Sequence, residues 1–111
     1  MVVENLVKRE RIGDKNHIYY FKLTKSNIKM DGTFLPYEFQ TYGIEIERHD
    51  MVDDKLLKVE KNSIKSISPN RYKVDKLLKV LYDNTVSPIH LIDIVEEYVD
   101  SFCFDYDLTA I

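Results

Sequence analysis

The chain begins in period-two patterning and ends in helical spacing, and the change falls near residue 60. His17-Ile18-Tyr19-Tyr20-Phe21-Lys22-Leu23-Thr24 is rich in β-branched and aromatic residues, and Tyr19, Phe21 and Leu23 alternate with more polar neighbours. Successive side chains of a strand point to opposite faces, so this alternation predicts a half-buried strand. Val2 to Ile12 also fits an extended conformation, and the turn formers Gly13-Asp14-Lys15-Asn16 join the two as a hairpin. Met30-Asp31-Gly32-Thr33 places Asp-Gly between extended runs, a strong hairpin signal because both residues tolerate positive φ. A third strand is predicted from about Tyr37 to Arg48, with Tyr42, Ile44 and Ile46 on one face and Glu45 and Glu47 on the other. Pro36 lacks a backbone donor and belongs at that strand's start or on an edge. A polar turn, His49 to Lys55, leads to a short fourth strand, Leu56 to Glu60.

Ile64 and Ile67 stand three apart, which reads as a single helical turn. Tyr72, Leu77, Leu78, Leu81 and Tyr82 follow at helical spacing behind Ser68-Pro69, and Leu91, Ile92, Val95, Tyr98, Val99 and Phe102 behind Ser87-Pro88. Ser at an N-cap accepts an orphan backbone N–H, and Pro at the first helical position has none to leave unsatisfied. The short break Asp83-Asn84-Thr85-Val86 makes the two helices antiparallel neighbours. The expected fold is therefore α+β: a four-stranded antiparallel meander over residues 2–60, then helices at about 69–83 and 88–103 as a hairpin on one sheet face. Leu77, Leu78, Leu81, Leu91, Ile92, Val95 and Val99 are expected to meet Phe21, Leu23, Ile44 and Ile46 in the core. The tail, residues 105–111, is expected to fray. With 111 residues and no linker, a single domain spanning 1–111 is expected.

Composition narrows the class. One Cys excludes an intramolecular disulfide framework and a Cys-rich zinc site. The apolar runs fall far short of the ~20 residues that span a bilayer, and Met1-Val2-Val3-Glu4-Asn5 has neither a basic start nor an apolar h-region. The expectation is a soluble cytoplasmic domain without membrane contact.

The net charge of −3 hides a gradient: residues 1–50 balance, residues 51–85 carry +3, and residues 86–111 carry −6 with no Lys or Arg. The basic block, Lys65, Arg71, Lys73, Lys76 and Lys79, is a candidate nucleic-acid contact. The acid pI of about 5.6 and the missing RNA-recognition signature argue against that use. The acidic residues Asp93, Glu96, Glu97 and Asp100 are a candidate partner surface; they either complement the basic block within one molecule or meet a basic partner.

Catalytic and metal patterns are missing. His17, His49, His90 and Cys103 form no metal-ligand spacing, and the His49-Asp50…Asp53-Asp54 cluster lacks the calcium-loop pattern. Cys103 sits on an apolar stripe among acids, where a thiolate is disfavoured. Gly13, Gly32 and Gly43 build no phosphate loop. The expectation is no enzyme, no cofactor and no metal. Eight Tyr among thirteen aromatic residues favour an interface, since Tyr joins an apolar body to a wet tip. The functional expectation is a small intracellular module acting through contact with a protein partner or itself, with nucleic-acid binding as the alternative.

Tyr42-Gly43-Ile44-Glu45-Ile46-Glu47, Ile64-Lys65-Ser66-Ile67-Ser68 and Val86-Ser87-Pro88-Ile89-His90-Leu91-Ile92-Asp93 together resemble a family of small clostridial-type bacterial proteins catalogued as a domain of unknown function. The resemblance runs over about residues 37–100. It implies a small intracellular bacterial protein and transfers no catalytic or binding residues.

Overall fold

Long runs of alternating residues build a four-stranded antiparallel sheet in sequence order. The computed structural model describes residues 1–32 and 37–98. The strands are β1 (Val2–Ile12), β2 (Lys15–Met30), β3 (Tyr37–Val52) and β4 (Lys55–Ser68). Gly13 enters the first turn at φ +64°, and Asp53 and Asp54 take φ +50° and +64° in a two-residue turn between β3 and β4. That turn corrects the expected His49–Lys55 loop: the strand pairing continues to Val52↔Lys55. Pro36 lies outside the described residues.

The fourth strand is longer than predicted. Ile64 and Ile67 belong to β4 and form no helical turn. Their spacing comes from a break in register, since Tyr42 pairs with Ser68 but Ile44 pairs with Ile64. Three β4 residues thus stand opposite Gly43, and the irregularity imitates an i, i+3 repeat.

Helix α1 (Arg71–Asp83) starts later than expected. Its N-cap is Asn70, whose Oδ1 accepts from the Lys73 amide at 3.3 Å, not Ser68. Ser68 remains in the strand and its Oγ accepts from the Asn70 amide at 3.0 Å. The C-terminus closes with Val86 N donating to Leu81 O and Thr85 N to Tyr82 O, both at 3.1 Å, which is the Schellman arrangement. Thr85 sits at φ +49° there. Pro88–His90 form a single 3-10 turn, and residues 91–98 are helical. Ser87 makes no side-chain cap hydrogen bond.

Tyr19, Phe21, Leu23, Ile44 and Ile46 are buried in one cluster with Val74, Leu77, Leu78, Leu81, Leu91 and Val95. The Phe21 and Tyr82 rings meet edge to face at 5.6 Å. One expected core position falls elsewhere: Ile92 is 44% exposed. It stands about 100° round its helix from Leu91, which points inward together with Val95. Val99, Phe102, Cys103 and the 105–111 tail lie outside the described residues.

Candidate functional site

Strand register places side chains in rows across the sheet. On the face of the buried cluster, the row Glu10, His17, Asp50, Lys58 is followed by Lys8, Tyr19, Arg48, Glu60. Those rows form a half-buried polar network. His17 Nδ1 donates to Asp50 Oδ1 at 2.5 Å, and since a carboxylate only accepts, Nδ1 carries the proton. Arg48 Nη1 donates to Ser87 Oγ at 3.0 Å and Nη2 to Asp50 Oδ2 at 3.3 Å. Arg48 Nε also lies 3.0 Å from Asp50 Oδ1, and Nη2 3.0 Å from Glu60 Oε2; these contacts are ionic but misaligned for hydrogen bonds. Lys58 Nζ lies 2.6 Å from Glu60 Oε1. Burial opposes the Arg48 charge, yet Asp50 and Glu60 outweigh it and raise its pKa. Every cation at the centre of this network faces an acid, so it pins the 3-10 turn to β3 and leaves no open anion site.

The opposite face carries a different pattern. Its rows are Asn5, Lys22, Glu45, Ser63; then Val7, Tyr20, Glu47, Lys61; then Arg9, Ile18, His49, Val59. Lys22 lies 3.3 Å from Glu45 and 3.7 Å from Glu47, and Lys61 3.4 Å from Glu45. His49 Nε2 meets Glu47 Oε2 at 2.5 Å, and the Tyr20 and His49 rings stand 5.0 Å apart. Glu47 is held below its usual range first by the His49 hydrogen bond and then by Lys22 and Lys61. Beside these paired charges Val7 is 46% and Val59 48% exposed, with Ile18 and Tyr20 half-buried. A patch of Val7, Ile18, Tyr20, His49 and Val59 thus spans all four strands. Sequence reading passed over it because it fixed on the odd positions of β2 as the buried set. The even positions Ile18 and Tyr20 were the available signal.

The predicted basic residues are dispersed. Lys65 is exposed on β4 beside the register break, while Arg71 and Lys76 are exposed on α1. Lys76 lies over the Tyr72 ring at 5.7 Å, Lys79 pairs with Asp75 at 3.0 Å, and Lys73 is half-buried. Lys8, outside the block, donates to Tyr82 O at 2.9 Å. Asp93, Glu96 and Glu97 are exposed, and Asp100 lies outside the described residues. Among the described residues, basic side chains pair with Glu45, Glu47, Asp50, Glu60 and Asp75.

A cleft of about 490 Å³ separates the end of α1 from residues 90–98, bordered by Val80, Asn84, His90, Ile94, Glu97 and Tyr98. Among the described residues no group of three His, Cys, Asp or Glu is placed to hold a metal. No helix among them is long and apolar enough to cross a membrane.

No curated protein and no solved structure matches the chain. Residues 1–101 match the family described as "Family of unknown function (DUF6514)", a wider span than the 37–100 stretch in which the resemblance lies. With the whole sheet, α1 and residues 88–98 inside that match, the chain belongs to this family.

Proposed function

We infer that this protein, likened by its motifs to small clostridial-type bacterial proteins, is a non-enzymatic interaction module of the cell interior acting through protein–protein contact. The observation that carries this reading is the patch of Val7, Ile18, Tyr20, His49 and Val59. With the two helices taken as an antiparallel hairpin on the buried face, this patch is left to solvent. Contiguous apolar surface rimmed by polar groups marks contact sites on small proteins. The charges bordering it, Lys22, Lys61, Glu45 and Glu47, pair with one another and project little net field. Such a surface suits another protein's neutral face better than a polyphosphate, which rewards unpaired cations. The nucleic-acid reading loses weight because Lys79 is spent on Asp75 and the rest of the basic block is scattered over β4 and α1.

The test is affinity capture from native cell extract with nuclease, using the full chain and its Val7→Glu and Tyr20→Glu variants, beside sedimentation of the purified proteins. A nuclease-resistant protein partner, or a self-associated species, that both variants lose is the expected result. Recovery only of nuclease-sensitive material, with affinity falling steeply with salt and lost when Arg71, Lys73, Lys76 and Lys79 become Ala, overturns the reading in favour of nucleic acid.

A further inference from the structure

Outside the core, the two helical elements carry opposite charge. α1 and residues 91–98 each bury one side in the same cluster, α1 through Val74, Leu77, Leu78 and Leu81, the later segment through Leu91 and Val95. The side of α1 turned away from that cluster holds Tyr72, Lys76 and Val80, spaced four apart and so in one row. Ile89, Ile92, Asp93 and Glu96 form a second row on the segment that follows. The outer side of a surface helix is ordinarily polar. Here four apolar side chains stand open in the two rows: Tyr72 is 71% exposed, Ile89 64%, Ile92 44% and Val80 37%.

The charges beside them complement each other. Residues 71–83 hold four Lys or Arg against two Asp, and residues 86–98 hold Asp93, Glu96 and Glu97 with no Lys or Arg. Lys79 is engaged by Asp75, whereas Arg71 and Lys76 are exposed. Lys76 lies over the Tyr72 ring, a contact that leaves its charge uncancelled. The order along the rows is reversed. α1 runs from basic at Lys76 to apolar at Val80, and the later segment runs from apolar at Ile92 to acidic at Glu96. Both steps are four residues, about 6 Å along a helix axis. Laid antiparallel, the rows match: Lys76 meets Glu96 where Val80 meets Ile92. Within one molecule both elements have their opposite sides committed to the core, so the rows cannot turn to face each other. A second molecule supplies the match.

We propose that two copies of this chain associate through these outer helix sides, α1 of each lying antiparallel against residues 89–96 of the other. Lys76 pairs with Glu96 across the interface, Arg71 adds to the positive end, and Val80 packs on Ile92. A two-fold axis makes both contacts at once, since every copy offers both rows. This surface shares no residue with the patch of Val7, Ile18, Tyr20, His49 and Val59, and the proposal stands without that reading.

Sedimentation equilibrium of the purified full chain tests it. Wild type and Tyr20→Glu are expected to dimerise alike, because the outer sheet patch takes no part. Arg71→Glu/Lys76→Glu and Asp93→Lys/Glu96→Lys are each expected to raise the dimer dissociation constant more than about tenfold, since like charges then face one another. All four positions are exposed, so neither pair of changes enters the core. An equimolar mixture of the two variants is expected to recover the dimer, because each then presents the charge the other lacks. Ile92→Ser, which leaves every charge in place, is expected to weaken association as well. A wild type still monomeric at about 1 mM overturns the proposal. So does a charge variant that dimerises at wild-type strength, or a mixture that stays apart. A dimer lost in Tyr20→Glu assigns self-association to the sheet patch and overturns it too.

Discussion

Gly43 lies directly under the backbone carbonyls of Ile64 and Lys65. A Cβ at Gly43 would overlap both oxygens and stand 2.6 Å from the Lys65 carbonyl carbon. The glycine serves here by its lack of a side chain; its φ is outside the left-handed region. The crowding comes from the register break, which sets Lys65, Ser66 and Ile67 against this one residue. Because the obstacles are backbone atoms, they cannot swing aside. Gly43→Ala is expected to destabilise the protein by about 2–3 kcal/mol, in line with overpacking of a closed site. Urea denaturation measures it, and a wild-type midpoint would show that the break in β4 relaxes freely.

Thr85 offers the opposite case. It occupies the left-handed position that ends α1, at φ +49°, where a β-branched side chain is strained. The flanking Val86 and Leu81 are buried and hydrogen-bonded to each other through the backbone, so the turn is held from both sides. Thr85→Gly relieves the strain at the cost of a more flexible unfolded chain. A net stabilisation of about 0.5–1 kcal/mol is expected. A fall in melting temperature would mean that the Thr85 side chain packs more favourably than its backbone is strained.

These two positions also mark where the sequence was hard to read. The strand from Val2 to Ile12, the hairpin at Gly13 and the four-strand order were legible because alternation and turn chemistry are local. The Ile64–Ile67 spacing misled because a register break and a helical turn give the same interval, and only the crowding at Gly43 separates them. Ser68-Pro69 resembled a helix start, but Asn70, one residue past the proline, has the free extended backbone a cap needs, at φ −91° and ψ 103°. The outer patch was harder still. Ile18 and Tyr20 lie between stronger core residues, and Val7 and Val59 join them only through pairing of strands distant in sequence.

The core assignment makes a direct prediction. Leu81 is fully buried and Val95 is 1% exposed, one on α1 and one on the following helix. Both share the cluster with Phe21 and Ile46. Leu81→Ala is expected to cost ~2–4 kcal/mol and Val95→Ala somewhat less, because each leaves a cavity the neighbours fill only in part. Equilibrium unfolding of both variants checks this, and wild-type stability in either would place that residue outside the cooperative core.

Acid should loosen the same molecule, and the direction follows from its carboxylates. Hydrogen bonds hold Glu47 and Glu60 low, from His49 and from Lys58 respectively, with burial opposing in both cases. Burial pushes Asp50 up, but the His17 hydrogen bond and the Arg48 charge prevail and leave it low. Asp75 is lowered by its hydrogen bond with Glu4 and then by Lys79, against burial. A group lowered on folding contributes stability above its unfolded value and loses it as pH falls through the folded value. Glu4 has the reverse sign: the hydrogen bond with Asp75 raises it, so its contribution is present at low pH and lost as pH rises through its folded value. Among the described carboxylates four lowered groups oppose one raised group, and net stability is expected to decline as pH falls from about 4.5. Asp50→Asn removes one of the four and leaves Arg48 and His17 facing an amide. That variant should be less stable than wild type at neutral pH and show a shallower loss below about pH 4.5, where the wild type forfeits the same contribution. Urea midpoints for both proteins between about pH 3 and pH 7 measure the two slopes. Parallel curves would remove Asp50 from the groups that make the fold acid-sensitive.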